Sequence, residues 1–133
     1  MKKFNLILLL SCLSFAFIFV GCGDDEETNQ ITITIEEPLD GATLTDCADV
    51  HIHVDFIASI ENHEVEIILH SEGDTSDEII KYDEHEHDKE ITFEQEVDLC
   101  GYPAGTCFHL EVFACLDHDC AEREFAEAEF CIQ

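Results

Sequence analysis

Eight histidines and 32 acidic residues share this chain of 133 residues, and some of them stand close enough to act together. His51-Ile52-His53 sets two imidazoles at alternate positions. On an extended strand such residues share a face, about 7 Å apart. Tyr82-Asp83-Glu84-His85-Glu86-His87-Asp88 is the densest group, two histidines within a run of acids able to wrap a cation. Imidazole beside carboxylate suits zinc, copper(II) or nickel. The sole methionine is Met1, so a thioether-rich copper(I) site has no ligands. Calcium is the alternative ion, with Asp74, Asp77, Asp117 and Asp119 as oxygen donors in expected loops, though without EF-hand spacing. His63, His70, His109 and His118 read as turn, edge or surface residues. Ser59, Ser71 and Ser76 lie in no nucleophile-elbow context, so no catalytic residue is assigned and the chain reads as non-enzymatic.

The elements that must carry these groups are strands. Residues 31–35 alternate Ile-Thr-Ile-Thr-Ile, the period of a half-buried strand. The same alternation runs through 49–58, 64–70, 90–99, 106–115 and 125–132, with a short strand at 78–82. Residues 73–77 and 83–88 read as connections, and Gly, Pro and Asp punctuate the other boundaries. Seven strands without a convincing helix predict an all-β sandwich.

The first residues give an address. Met1-Lys2-Lys3 is followed by an apolar run over residues 4–20 and then by Gly21-Cys22-Gly23 and the acids Asp24, Asp25, Glu26 and Glu27. Basic start, apolar stretch and small residue make an export signal. The cysteine at the cut resembles the lipobox of bacterial lipoproteins. That resemblance implies a signal peptide over 1–21, lipid on Cys22 and a membrane as partner. The following acids resemble the sorting signal that sends some lipoproteins to the outer surface. An outer-membrane lipoprotein exposed at the cell surface is expected, with a periplasm-facing one as the alternative. Residues 22–30 read as an acidic flexible tether and 31–133 as the domain. Cleavage before Cys22 would leave 112 of the 133 residues, with three basic residues against all 32 acids, a charge of −29. Such a surface repels phosphate backbones, which excludes nucleic acid as a partner.

Export also licenses disulfides among Cys47, Cys100, Cys107, Cys115, Cys120 and Cys131. The opening Ile-Thr-Ile strand and the turn Pro-Leu-Asp-Gly-Ala-Thr at 38–43 resemble the start of immunoglobulin-like modules in bacterial surface lipoproteins. The resemblance implies a seven-stranded immunoglobulin or fibronectin-III-like sandwich stapled by disulfides. In such a sandwich the second and fifth strands are antiparallel neighbours, so Cys47 should meet Cys100. The last two strands form a hairpin, which brings Cys107 to Cys131 and leaves Cys115 with Cys120 around its turn. Pairing Cys47 with Cys100 sets His51 opposite Glu96 and His53 opposite Glu94. The expected metal ligands are therefore His51, His53, Glu94 and Glu96 on one outer face. His85 and His87 form a separate loop group, nearer Asp55 or His63 than His51.

The functional expectation is a membrane-tethered binding module holding a divalent metal, zinc or copper, through histidine and carboxylate. The alternative is an adhesion or structural subunit that binds protein or glycan, using an outward apolar patch at Ile68 and Phe113. His51 and His53 also resemble the His-x-His pair of copper–zinc superoxide dismutases, which are disulfide-bearing β-sandwiches. That family's glycine-rich surroundings and long metal-binding loop are missing, and His63 and His70 bracket a strand instead of lying in such a loop.

Overall fold

The structure, a computed structural model, describes residues 27–133. The expected signal segment and Cys22 lie outside the described residues. Eight strands follow in order: β1 (Ile31–Glu37), β2 (Ala42–Leu44), β3 (Val50–Ala58), β4 (Glu64–Ser71), β5 (Asp74–His85), β6 (Glu90–Val97), β7 (Cys107–Cys115) and β8 (Arg123–Ile132). They form two sheets, one of order β1-β3-β6 and one of order β2-β8-β7-β4-β5. There is no helix among the described residues.

Alternation decides which side chains go in. β3 buries Val50, Ile52, Val54, Phe56 and Ala58 and turns His51, His53 and Asp55 outward. β4 buries Val65, Ile67 and Leu69, β7 buries Phe108, Leu110, Val112 and Ala114, and β8 adds Ala128, Phe130 and Ile132. Phe93, Val97 and Leu99 complete a single core between the sheets. Each fully buried large apolar side chain contributes roughly 1.5–3 kcal/mol. Slipping any of these strands by one residue would invert its faces and set carboxylates in that core, which fixes the register.

Two differences from the sequence reading concern strands. The count is eight rather than seven, because β2 pairs in parallel with β8 through Ala42, Thr43 and Leu44. Three residues are too few to show an alternation. β5 is also longer than the expected 78–82, taking in Asp74–Asp77 and Asp83–His85. It is an edge strand that pairs only with β4, so its mostly polar side chains carry little apolar pattern. The turn between β4 and β5 is only Glu72-Gly73, with Ser71 opposite Asp74. Gly73 sits at the third turn position with φ of 84°, where the left-handed backbone favours glycine.

The six cysteines of the domain form the bridges Cys47–Cys100, Cys107–Cys131 and Cys115–Cys120. The first two extend existing strand registers: Val50 faces Val97 on β3 and β6, and Cys107 faces Cys131 on β7 and β8. The first closes 53 residues of separation and the third only 5, so chain entropy predicts the larger contribution from the first.

Candidate metal centre

Four histidines converge at one end of the sandwich. His63 stands in the connection before β4, His85 ends β5, His87 lies in the connection to β6, and His118 is in the β7–β8 turn. Ring centroids are 5.3 Å apart for His63–His118, 5.8 Å for His63–His87, 4.8 Å for His85–His87, 5.4 Å for His85–His118 and 5.7 Å for His87–His118. Glu61 joins them, its Oε2 3.3 Å from His87 Nδ1. One donor atom each from Glu61, His63 and His87 lies within 4.8 Å of the others. The Nδ1 atoms of His63 and His118 are 3.4 Å apart.

These spacings have a chemical meaning. A tetrahedral ion with nitrogen ligands at about 2.0–2.1 Å holds neighbouring donor atoms about 3.3–3.4 Å apart. The His63–His118 and His87–Glu61 separations match that edge. A long N–H···N bond would give the first of them too. What a single such bond does not account for is four imidazoles and a carboxylate gathered from three separate segments. The group is partly exposed, with the His87 side chain at 52% and Glu61 at 42%, so an ion could enter without unfolding.

The connections are fixed by backbone-directed hydrogen bonds. Asn62, fully buried, donates through Nδ2 to the carbonyls of Asp88 at 2.7 Å and Lys89 at 3.2 Å. The Glu86 amide donates to the His63 carbonyl at 2.7 Å. Those bonds tie the segment bearing His87 to the segment bearing His63. Asn29 donates to the carbonyls of Glu61 and Leu116 at 2.7 and 3.2 Å and accepts from the Ile60 amide, joining the His63 segment to the His118 turn. That turn is closed by Cys115–Cys120, and Asp117 Oδ1 accepts from the Ala121 amide at 2.9 Å. Asn29 and Gln30, read from sequence as tether, are thus held against the domain, Gln30 through the Ser59 hydroxyl.

No protein-family model and no curated protein matches this chain.

The remaining expected ligands form a different group. His51 faces Glu96 and His53 faces Glu94 across β3 and β6, the register read from sequence. Their rings are 6.0 Å apart. His51 Nδ1 lies 3.1 Å from Glu37 Oε2, while His53 lies 3.5 Å from Asp55 and 3.9 Å from Glu94. Glu37 and Asp55 were not among the expected partners. His85 and His87 join His63 and His118, two residues that sequence reasoning left as turn and tip. The calcium set is divided: Asp74 and Asp77 are in β5 near the β4 turn, while Asp117 and Asp119 lie beyond the far end of β7. The superoxide dismutase pattern is not assembled either, because His63 turns to His87 and His118 while His70 stacks on His109. Glu64 and Glu129 approach disulfide sulfurs, but bridged cysteines offer no thiolate.

Proposed function

We propose that this protein is an exported, membrane-tethered binding module that holds a divalent cation of the zinc, copper(II) or nickel class at the His63, His85, His87, His118 and Glu61 cluster. The observation that carries the reading is the convergence of four imidazoles from three separate segments, with two donor pairs at the spacing of a tetrahedral edge. The preference over calcium follows from the donors, since nitrogen is a poor calcium ligand. The sheet order, with β3 beside β6 and β8-β7-β4 in the other sheet, supports an immunoglobulin or fibronectin-III-like sandwich as the carrier.

The tether half of the reading rests on residues 1–22 of the sequence. Asn29 is docked beside the cluster. It lies seven positions after Cys22, a reach of at most about 25 Å. Lipid on Cys22 would therefore hold the cluster near the membrane surface. Replacing Cys22 with Ala should move the exported protein from the membrane fraction to the soluble one. Retention in the membrane would remove the lipid anchor from the proposal.

Metal content of untagged protein, purified after secretion and titrated with zinc, copper(II) and nickel, tests the site. Tight uptake is expected in the intact protein. The double replacement His63→Ala/His118→Ala should remove one equivalent, a loss larger than the roughly 10–100-fold that an outer-shell change costs. Unchanged uptake would sink the metal reading. A second reading is favoured by one feature, the tilted pair Phe113–Phe125 with centroids 4.9 Å apart on the outer face, Phe125 being 47% exposed. That pair, beside half-buried Ile68, would serve an adhesion or assembly module that binds protein or glycan.

A further inference from the structure

His70 and His109 sit directly opposite each other on β4 and β7. The register continues outward on both sides, Glu78 opposite His70 on β5 and Glu129 opposite His109 on β8. A Glu-His-His-Glu row thus crosses four strands. The two imidazoles are nearly parallel, at 7° with centroids 5.7 Å apart. His109 Nε2 lies 3.3 Å from Glu129 Oε2, and His70 Nε2 lies 3.7 Å from Glu111 Oε2.

His70 is the informative member. Only 8% of its side chain is exposed, unusual for a histidine with a carboxylate as neighbour. Its Nδ1 lies 3.2 Å from the Ser71 carbonyl oxygen. A carbonyl only accepts, so Nδ1 carries the proton. Nε2 is then the ring nitrogen left to face the Glu111 carboxylate. A divalent cation between the two would be held by both. A backbone carbonyl holding the far nitrogen of a histidine, and thereby fixing its tautomer, is the usual support of a metal-ligating imidazole. Ser71 is itself held, its hydroxyl 3.4 Å from Asp77, which also accepts from Tyr102 at 2.6 Å.

We infer that His70, His109, Glu111 and Glu129 form a second site for a divalent cation of the same class, on the outer face of the five-stranded sheet. His70 is the fixed ligand. His109, with a third of its side chain exposed, turns its ring to bring Nε2 toward the ion, since stacked rings do not aim their in-plane lone pairs at one point. The site is separate from the loop cluster, because His63 and His70 are seven residues apart along an extended chain, about 23 Å. It does not depend on that cluster binding metal.

The test is zinc stoichiometry by native mass spectrometry and equilibrium dialysis on the full oxidised domain. His109→Ala is the variant of choice, because its partly exposed position on the outer face spares the core, and Glu111→Gln is its isosteric companion. His109→Ala should lose one zinc equivalent, and Glu111→Gln should weaken the same equivalent at least tenfold. In the His63→Ala/His118→Ala background the equivalent at this site should persist and disappear only when His109→Ala is added. Unchanged stoichiometry in His109→Ala, with an unaltered melting profile, overturns the second site and leaves the opposed pair bridged by a proton alone. A lost equivalent in His109→Ala with none lost in His63→Ala/His118→Ala upholds this site and removes the loop one.

Discussion

Asn62 carries no charge, yet two arms of the loop cluster hang on it. Its amide nitrogen serves the carbonyls of Asp88 and Lys89 in a fully buried position. Replacing it with Ala removes both side-chain bonds, about 0.5–1.5 kcal/mol each, leaves each carbonyl one backbone donor, the Asn62 amide for Asp88 and the Ala58 amide for Lys89, and loosens the segment bearing His87. The expected outcome is a lower melting temperature together with zinc affinity reduced at least tenfold. Normal affinity in a destabilised variant would mean that Asn62 supports the fold without positioning the ligand. Tyr102 makes a second prediction. Its phenol donates to Asp77 at 2.6 Å, and that bond, with burial and the Asp77 and Asp74 charges, pushes its pKa from 10.0 up to about 12. The folded pKa lies above the unfolded one, so the contribution is complete below pH 10 and is lost as pH rises toward 12. Tyr102→Phe should be less stable at neutral pH and should lose less stability across that alkaline window. Thermal melts of both proteins through this range check the difference, and parallel curves would contradict it.

At the scale of elements, six of the strands were legible because each buries one face. β3 alternates so cleanly that its His51–Glu96 and His53–Glu94 register with β6 could be counted off from the Cys47–Cys100 pairing. β5 was only partly legible, since an edge strand with one deeply buried residue, Ile80, shows little contrast between its faces. The loop cluster was half legible. His85-Glu86-His87 announces itself by spacing. His63 and His118 are 55 residues apart, and only the sheet order that sets β4 beside β7 brings their connections together. His70 was misread as a loop edge because its neighbours Ser71 and Glu72 are polar, while β7 continues past it and buries it. The Cys115–Cys120 bridge belongs to the same scale. Replacing both cysteines with Ser removes a short closure, worth less than the roughly 3 kcal/mol of a 15-residue loop, with the other two bridges intact. The variant should remain folded with a slightly lower melting temperature, while the His118 turn loses its constraint and zinc affinity falls about tenfold. Affinity unchanged from the parent would show that the turn is set by its hydrogen bonds without the bridge.

The whole molecule faces one problem that no single residue solves, the mutual repulsion of its carboxylates. The chain carries 32 acids against five basic residues, and Lys81–Glu78 is the one lysine or arginine ion pair among the described residues. Screening therefore has much repulsion to remove and little attraction to weaken. Raising sodium chloride from about 10 mM to about 1 M shortens the Debye length from about 30 Å to about 3 Å and should raise the melting temperature monotonically. A fall would mean that ion pairs with histidine contribute more than repulsion costs. The same titration separates two meanings of cation binding. An acidic surface gathers divalent ions as a diffuse atmosphere, and that stabilisation vanishes once monovalent salt screens the field. Ions held by imidazole at built sites bind through directed bonds that high salt leaves in place. Zinc at one hundred times its dissociation constant stabilises the folded form by about 2.7 kcal/mol per site, a shift of several degrees for a domain of this size. Melting curves in about 1 M sodium chloride should keep that zinc-dependent shift, reduced in His63→Ala/His118→Ala and reduced separately in His109→Ala. Magnesium at the same concentration, a hard ion with no preference for nitrogen, should give none. If zinc and magnesium shift the curve equally at low salt and neither does so at high salt, the histidine groups are surface decoration on a polyanion and both proposed sites fall together.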